Sequence, residues 1–133
     1  EHTRLMTISV KEIINAKNPL VKSDDTLFDA LSMMTESGQG AVAIVDGANA
    51  LKGIFTDGDL RRNLKEKGKD VLDMKMENFV SDKAPITVPS DARLYEAVKV
   101  FKDANVDNII VLENMAPIGM LDIQDFVRMN LIG

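Results

Sequence analysis

Thr56 and Asp59 stand three residues apart behind an apolar run, Gly53-Ile54-Phe55, and lead into Leu60, Arg61 and Arg62. A hydroxyl and a carboxylate at this spacing support two kinds of chemistry. One is structural: Thr at a helix N-cap and an acid at the third helical position satisfy two backbone donors reciprocally, as a capping box. Asp in place of Glu makes the return bond shorter and less usual. Asp59 also stands at helix-pair spacing from Arg62. The other chemistry is ligand binding. A helix N-terminus presents free N–H groups and a positive dipole end, which suit a phosphate. The Thr56 hydroxyl can donate to that phosphate, and the Asp59 carboxylate can accept from two vicinal hydroxyls of a ribose. Arg61 and Arg62 add positive charge that can hold a carboxylate or phosphate, although exposed helix arginines are more often solvated.

The junction recurs as Gly119-Met120-Leu121-Asp122-Ile123-Gln124-Asp125-Phe126-Val127-Arg128. Asp125 repeats Asp59 and Arg128 repeats Arg62, but Asp122 stands where Thr56 stood. A carboxylate there repels an anion. The first copy is therefore the expected phosphate site, and the second is expected to take a sugar without a phosphate or nothing.

No catalytic set accompanies either copy. Asp57 and Asp59 are close, but paired carboxylates without an oriented nucleophile or metal do not make an active site. The chain has no cysteine and one histidine, His2, next to its start. That excludes disulfides and thiolate chemistry and leaves no well-placed imidazole base. No metal site and no required cofactor are expected.

The elements that must position the junction follow from periodicity. Val10, Ile13 and Ile14 suit a short helical turn, and Asn18-Pro19 ends it. Leu20-Val21 suits a short strand. Ser23-Asp24-Asp25 predicts a helix start with Ser23 as cap, followed by Leu27, Ala30, Leu31 and Met34 on one face. Gly38 and Gly40 stop that helix. Ala41-Val42-Ala43-Ile44-Val45 reads as a strand buried on both faces. Gly53–Thr56 is the next strand, with a helix from Thr56 to Gly68. Lys65–Asp70 is a polar connector between halves, and Val71–Val80 returns to short apolar helix. Ile86–Val88 then reads as a strand, Ser90-Asp91 as the cap of a helix, Asn108–Leu112 and Ile118–Leu121 as strands, and Phe126–Met129 as a last helix.

The second half repeats the first. An offset of 67 pairs Val21 with Val88, Leu27 with Leu94, Ala30 with Ala97 and Val42 with Ile109. One residue is lost in the hairpin loop, and an offset of 66 then pairs Gly53 with Gly119, Asp59 with Asp125 and Arg62 with Arg128. Two copies are too few for a solenoid, and each half alone carries too little core. The two strand–helix–strand–strand–helix units are expected to pack into one pseudo-symmetric α+β body. The organisation is residues 1–9 as linker, 10–67 as the first repeat and 68–133 as the second.

The 133 residues are 45% hydrophobic and 28% charged, which is ordinary globular composition. The eight methionines suit core packing. A net charge of −5 argues against a nucleic-acid partner, which calls for a basic stripe. No apolar run approaches the length of a membrane span, so a soluble cytoplasmic protein, or a fragment of one, is expected.

Two such units carrying Asn18-Pro19, the apolar strand at 41–45 and Gly53-Ile54-Phe55-Thr56-Asp57-Gly58-Asp59-Leu60 resemble a tandem cystathionine-β-synthase (CBS) domain pair, or Bateman module. The resemblance spans about Val10 to Met129. It implies two β-α-β-β-α repeats packed sheet to sheet with helices outside. It also implies a ligand whose base lies against Leu20, Val21, Ala41, Val42 and Ala43, near Thr56 and Asp59. A narrower likeness exists. Gly53–Arg62, with the lead-in Arg4–Ile13, is similar to the C-terminal CBS region of bacterial D-arabinose 5-phosphate isomerases and its junction with the sugar-isomerase domain. That family makes a precursor of 3-deoxy-D-manno-octulosonate (Kdo), a sugar acid of lipopolysaccharide. The likeness implies a regulatory fragment that binds an adenosine nucleotide or CMP-Kdo, pairs as a homodimer and serves a preceding isomerase domain. The alternative is a ligand-free oligomerisation module of another enzyme or transporter.

Overall fold

The computed structural model describes residues 6–14 and 18–133, and they gather into two bodies. One is Pro19–Pro85; the other joins the N-terminal segment through Asn18 to Ile86–Gly133. His2 and the start of the expected linker lie outside the described residues.

The first body contains β1 (Leu20–Lys22), α1 (Leu27–Ser37), β2 (Ala41–Val45), β3 (Leu51–Thr56) and α2 (Asp57–Lys67). Two 3-10 turns follow, Lys69–Asp73 and Met76–Phe79. Its sheet runs β1-β2-β3, with β1 parallel and β3 antiparallel to β2. All of β2 is buried, which is why its sequence is a continuous apolar run rather than an alternating one. Leu27, Ala30 and Met34 turn one stripe of α1 onto the core. Gly38, at φ 70°, ends the helix in the left-handed conformation that glycine adopts without a Cβ penalty. Phe55 meets Phe79 edge to face at 5.2 Å.

The second body repeats this plan with β4 (Thr87–Pro89), α3 (Leu94–Ala104), β5 (Asn108–Glu113), β6 (Ala116–Asp122) and α4 (Ile123–Arg128). β4 is parallel and β6 antiparallel to the central β5. Leu94, Ala97, Val98 and Phe101 form the buried face of α3, and Phe101 meets Phe126 edge to face at 5.0 Å. Asn105 ends α3 at φ 53°, the counterpart of Gly38. The α+β class and the twofold repeat are thus as expected.

Two helix caps differ from expectation. α1 is capped by Thr26, not Ser23: Thr26 N donates to Asp29 Oδ2 at 3.0 Å and Asp29 N donates back to Thr26 Oγ1 at 3.3 Å. Ser23 instead donates its hydroxyl to Val45 O. α3 starts after Arg93, whose N–H donates to Glu96 Oε1 at 2.9 Å. Ser90 lies before the helix and donates to Glu113 Oε1. In both cases the acid three residues on selects the cap, because it satisfies the backbone donor that an earlier serine would leave open.

The packed bodies also do not follow the sequence halves divided at 67/68. The lead-in Ile8–Ile14 packs on the second body and Met74–Val80 on the first. These two segments are themselves copies at an offset of 66. Val10 N donates to Ala92 O at 2.8 Å, and Met76 N donates to Asp25 O at 2.8 Å. Leu94 N donates to Ile8 O, and Leu27 N to Met74 O. Val10 and Met76 are both fully buried. Each body is therefore completed by an apolar strap that precedes its counterpart repeat in the chain.

Candidate functional site

In the first body the strand-to-helix junction forms at the edge of the sheet. Thr56 ends β3 and caps α2. Thr56 N donates to Asp59 Oδ2 at 2.9 Å, the Thr56 hydroxyl donates to the same oxygen at 3.1 Å, and Asp59 N donates to Thr56 Oγ1 at 3.3 Å. The Arg62 guanidinium takes Asp59 Oδ1. Both carboxylate oxygens of Asp59 are thus engaged within the helix turn, so the capping box is formed. Asp57 N donates to Gly40 O at 3.0 Å, closing β2 onto the helix start.

The expected pocket residues divide between the two faces of the sheet. Ala41 lies opposite Thr56, and Ala43 lies beside Leu20. Side chains alternate along a strand and paired residues share a face, so Leu20, Ala41, Ala43 and Thr56 lie on one face. Val21 and Val42 are on the other, within the apolar cluster beneath α1. Arg61 and Arg62 are exposed on α2, and Arg62 is the one drawn to Asp59.

The second copy is built differently. Asp122 caps α4 by accepting from Gln124 N at 2.9 Å. A carboxylate at the cap has no hydrogen to donate to the neighbouring carboxylate, as the Thr56 hydroxyl does. Among the described residues the Asp125 side chain accordingly keeps only its ion pair with Arg128, through Oδ1. Its Oδ2 receives no hydrogen bond from the described side chains. Asn108 lies opposite Asp122, where Ala41 lies opposite Thr56, and its buried Nδ2 has no partner among the described residues. A cavity of about 410 Å³ opens beside Asp125, lined by Ile13, Asp125, Arg128 and Met129. Of these four, only Asp125 stands out in the sequence as a site residue. Arg128 was legible through its offset partner Arg62. Ile13 was not, because its placement depends on the strap packing with residues 86–133. Among the described residues no three His, Cys, Asp or Glu side chains gather as a metal site. None of the described helices is long and apolar enough to cross a membrane.

The CBS domain model matches residues 10–66 and again 75–131. The chain belongs to the CBS domain family. Its two CBS repeats coincide with the two copies of the junction. Arabinose 5-phosphate isomerase KdsD from Pseudomonas aeruginosa is 30% identical over 128 residues, covering 94% of this chain and 39% of that protein. The chain therefore spans about two fifths of the length of that curated relative. The CBS domain of a CBS domain containing membrane protein from Sphaerobacter thermophilus superposes with a TM-score of 0.79 at 18% identity, covering 96% of this chain and 90% of the other. The CBS domain pair of protein MJ0100, in complex with 5'-methylthioadenosine and S-adenosyl-L-methionine, superposes with a TM-score of 0.78, also at 18% identity, over 93% and 96% of the two chains. At that identity these two likenesses concern the fold.

Proposed function

We propose that this CBS pair is the regulatory, ligand-sensing part of a cytoplasmic sugar-phosphate isomerase of the arabinose 5-phosphate type, acting in the Kdo and lipopolysaccharide precursor pathway. The observation that carries the reading is the likeness to KdsD over 94% of the chain, while the chain spans only 39% of that relative. The remaining length of such a protein is where an isomerase domain belongs. The ligand class is a nucleotide or nucleotide-sugar: an adenosine nucleotide, or CMP-Kdo as a downstream product suited to feedback. Thr56, Asp59, Arg61 and Arg62 of the first copy, with Leu20, Ala41 and Ala43 on the same sheet face as Thr56, supply the hydroxyl, carboxylate, cationic and apolar groups such a ligand needs. Occupying the first copy requires the ligand hydroxyls to replace contacts that Asp59 makes with Thr56 and Arg62. Calorimetry with AMP, ATP and CMP-Kdo tests the reading. Saturable heat with at least one of them supports it, and no heat with any of the three rejects it. Loss of binding on Asp59→Ala assigns the ligand to the first copy.

A second reading, an oligomerisation module, has its own observation. Phe28 on α1 and Tyr95 on α3 are equivalent residues, and they are 61% and 52% exposed. Phe28 borders a shallow groove with Leu31, Ser32, Thr35 and Glu36. Aromatic side chains on the outer faces of both helices suit a homodimer contact. Sedimentation of the wild type and of Phe28→Ser/Tyr95→Ser tests it: a dimer that the double substitution dissociates supports it, and a wild-type monomer rejects it.

A further inference from the structure

The hairpin between β5 and β6 turns at Asn114 and Met115, both left-handed, with φ 51° and 69°. Two left-handed residues in succession suit a tight hairpin, and asparagine followed by glycine is the favoured pair. Asn114 fits that pattern and Met115 does not, because its Cβ crowds the backbone in this conformation. Packing gives no reason for a methionine either. Met115 is 79% exposed, the most exposed large hydrophobic side chain among the described residues. The counterpart turn of the first body, 46–50, is one residue longer and has no methionine. It is clamped by Asp46, which accepts from Ala48 N and Ala50 N at 2.9 and 3.0 Å. Glu113, the equivalent of Asp46, is drawn instead to Lys11 and Ser90.

We propose that Met115 is a reversible oxidation site, the one methionine that a peroxide converts to its sulfoxide while the rest of the chain stays native. The other seven methionines are shielded. Met34, Met76 and Met120 are buried, and Met6, Met33, Met74 and Met129 are partly buried against the two apolar clusters. The chain has no cysteine, so no thiolate competes for the oxidant. In the reaction a lone pair of the thioether sulfur attacks one peroxide oxygen. The O–O bond breaks as the S–O bond forms, and the second oxygen leaves with both protons as water. The sulfur loses two electrons and the peroxide gains them. A dithiol-dependent sulfoxide reductase reverses the step: the thiols give up two electrons, and the oxygen leaves as water.

The place in the fold decides what the oxidation does. A sulfoxide is polar, and within a core it disrupts packing. At Met115 it meets water, so the tip of the hairpin changes from apolar to polar and no buried contact is lost. The turn is also held from both sides. Lys11 Nζ binds Glu113 Oε1 at 2.8 Å just before it, and Asn18 Nδ2 donates to Pro117 O at 3.0 Å just after it. A fixed, exposed thioether is open to the oxidant and to the reductase alike. The site lies at the start of β6, and the Asp122 junction lies at its far end. It does not depend on a ligand at either junction.

A time course of the intact chain with hydrogen peroxide, followed by peptide mass mapping, tests this. Met115 is expected to gain one oxygen at least tenfold faster than any other methionine. In concentrated urea the eight methionines are expected to react at rates within about threefold of one another, as unshielded thioethers of like chemistry do. The singly oxidised chain is expected to keep its melting temperature, and methionine sulfoxide reductases A and B with dithiothreitol are expected to return it to the starting mass without unfolding. Met115→Leu is expected to remove the fast oxygen uptake and leave the slow uptake unchanged; Met115→Gly replaces it should that variant fail to fold. Another methionine reacting as fast as Met115 in the native chain overturns the proposal, and so does a partner that covers the turn and slows it. A rate advantage that persists in urea, a melting temperature lowered by oxidation at Met115 alone, or a sulfoxide that the reductases reach only after unfolding also overturns it.

Discussion

Ile14 lies so close to Gly119 that a Cβ built on that glycine falls 2.8 Å from Ile14 Cδ1 and 2.9 Å from Ile14 Cβ. The equivalent glycine, Gly53, meets Val80 at an ordinary 3.6 Å. Gly119→Ala must displace the branch point of Ile14, not merely the tip of its side chain. It is expected to destabilise the protein by about 1–3 kcal/mol, as overpacked cores do. Gly53→Ala is expected to cost less than about 0.5 kcal/mol or to stabilise slightly, since it also restricts the unfolded chain. Urea unfolding of the two variants side by side measures the difference.

Thr56→Ala removes the hydroxyl that both gives and receives hydrogen bonds with Asp59. A loss of roughly 0.5–2 kcal/mol is expected, the usual cost of a helix cap, and Thr56→Ser is expected to keep most of the stability. The reverse exchange, Asp122→Thr, gives Asp125 the hydroxyl partner that Asp59 has. It is expected to leave thermal stability equal or higher, read by thermal melting.

Gln39 is 9% exposed and its Oε1 has no hydrogen-bond partner among the described residues. The equivalent residue in the second repeat is Val106, which packs against the apolar cluster there. An unsatisfied buried polar atom costs about 1–3 kcal/mol. Gln39→Val is expected to raise the unfolding free energy by about 1 kcal/mol or more, a gain visible as a shift of the urea midpoint without a change in slope.

The Glu113 carboxyl is held below its ordinary value by the hydrogen bond from Lys11, then by that from Ser90. Asp46 is lowered too, by the N–H groups of Ala50 and Ala48. A carboxyl with a depressed folded pKa adds stability above its unfolded value, and that stability is lost as the pH falls through the folded one. The Glu113 contribution is therefore fully present above pH about 4.5, the ordinary value, and fades below it. Glu113→Gln is expected to lower the neutral plateau of a melting temperature versus pH curve slightly, because the pair is exposed, and to leave the melting temperature at the acid end, where Glu113 is protonated, unchanged.

Much of this architecture was legible in the sequence. The 67- and 66-residue offsets paired the strands, the helices and the two junctions, and the burial of Ala41–Val45 follows from its unbroken apolar run. The helix caps were missed where a serine came before the true start, although Thr26-x-x-Asp29 carries the same spacing as Thr56-x-x-Asp59. What the sequence withheld depends on contacts across long separations. Val10, Ile13 and Ile14 look like an ordinary short turn. Their equivalence to Met76, Phe79 and Val80 shows only once Val10 is seen bonding to Ala92 and Met76 to Asp25. The availability of Asp125 was likewise hidden, because it depends on where the Asp122 carboxylate spends its hydrogen bond and not on Asp125 itself.

The crossed straps bear on the order in which the chain can be assembled during synthesis. Pro19–Pro85 holds its own strap, Met74–Val80, within its span, so this body can close as soon as it clears the ribosome. Ile8–Ile14 is made before this body yet must remain unattached until Ala92 and Gly119 have been made. A segment made ahead of the first body is thus seated only after it, and a premature stop before residue 90 leaves its apolar face without a seat.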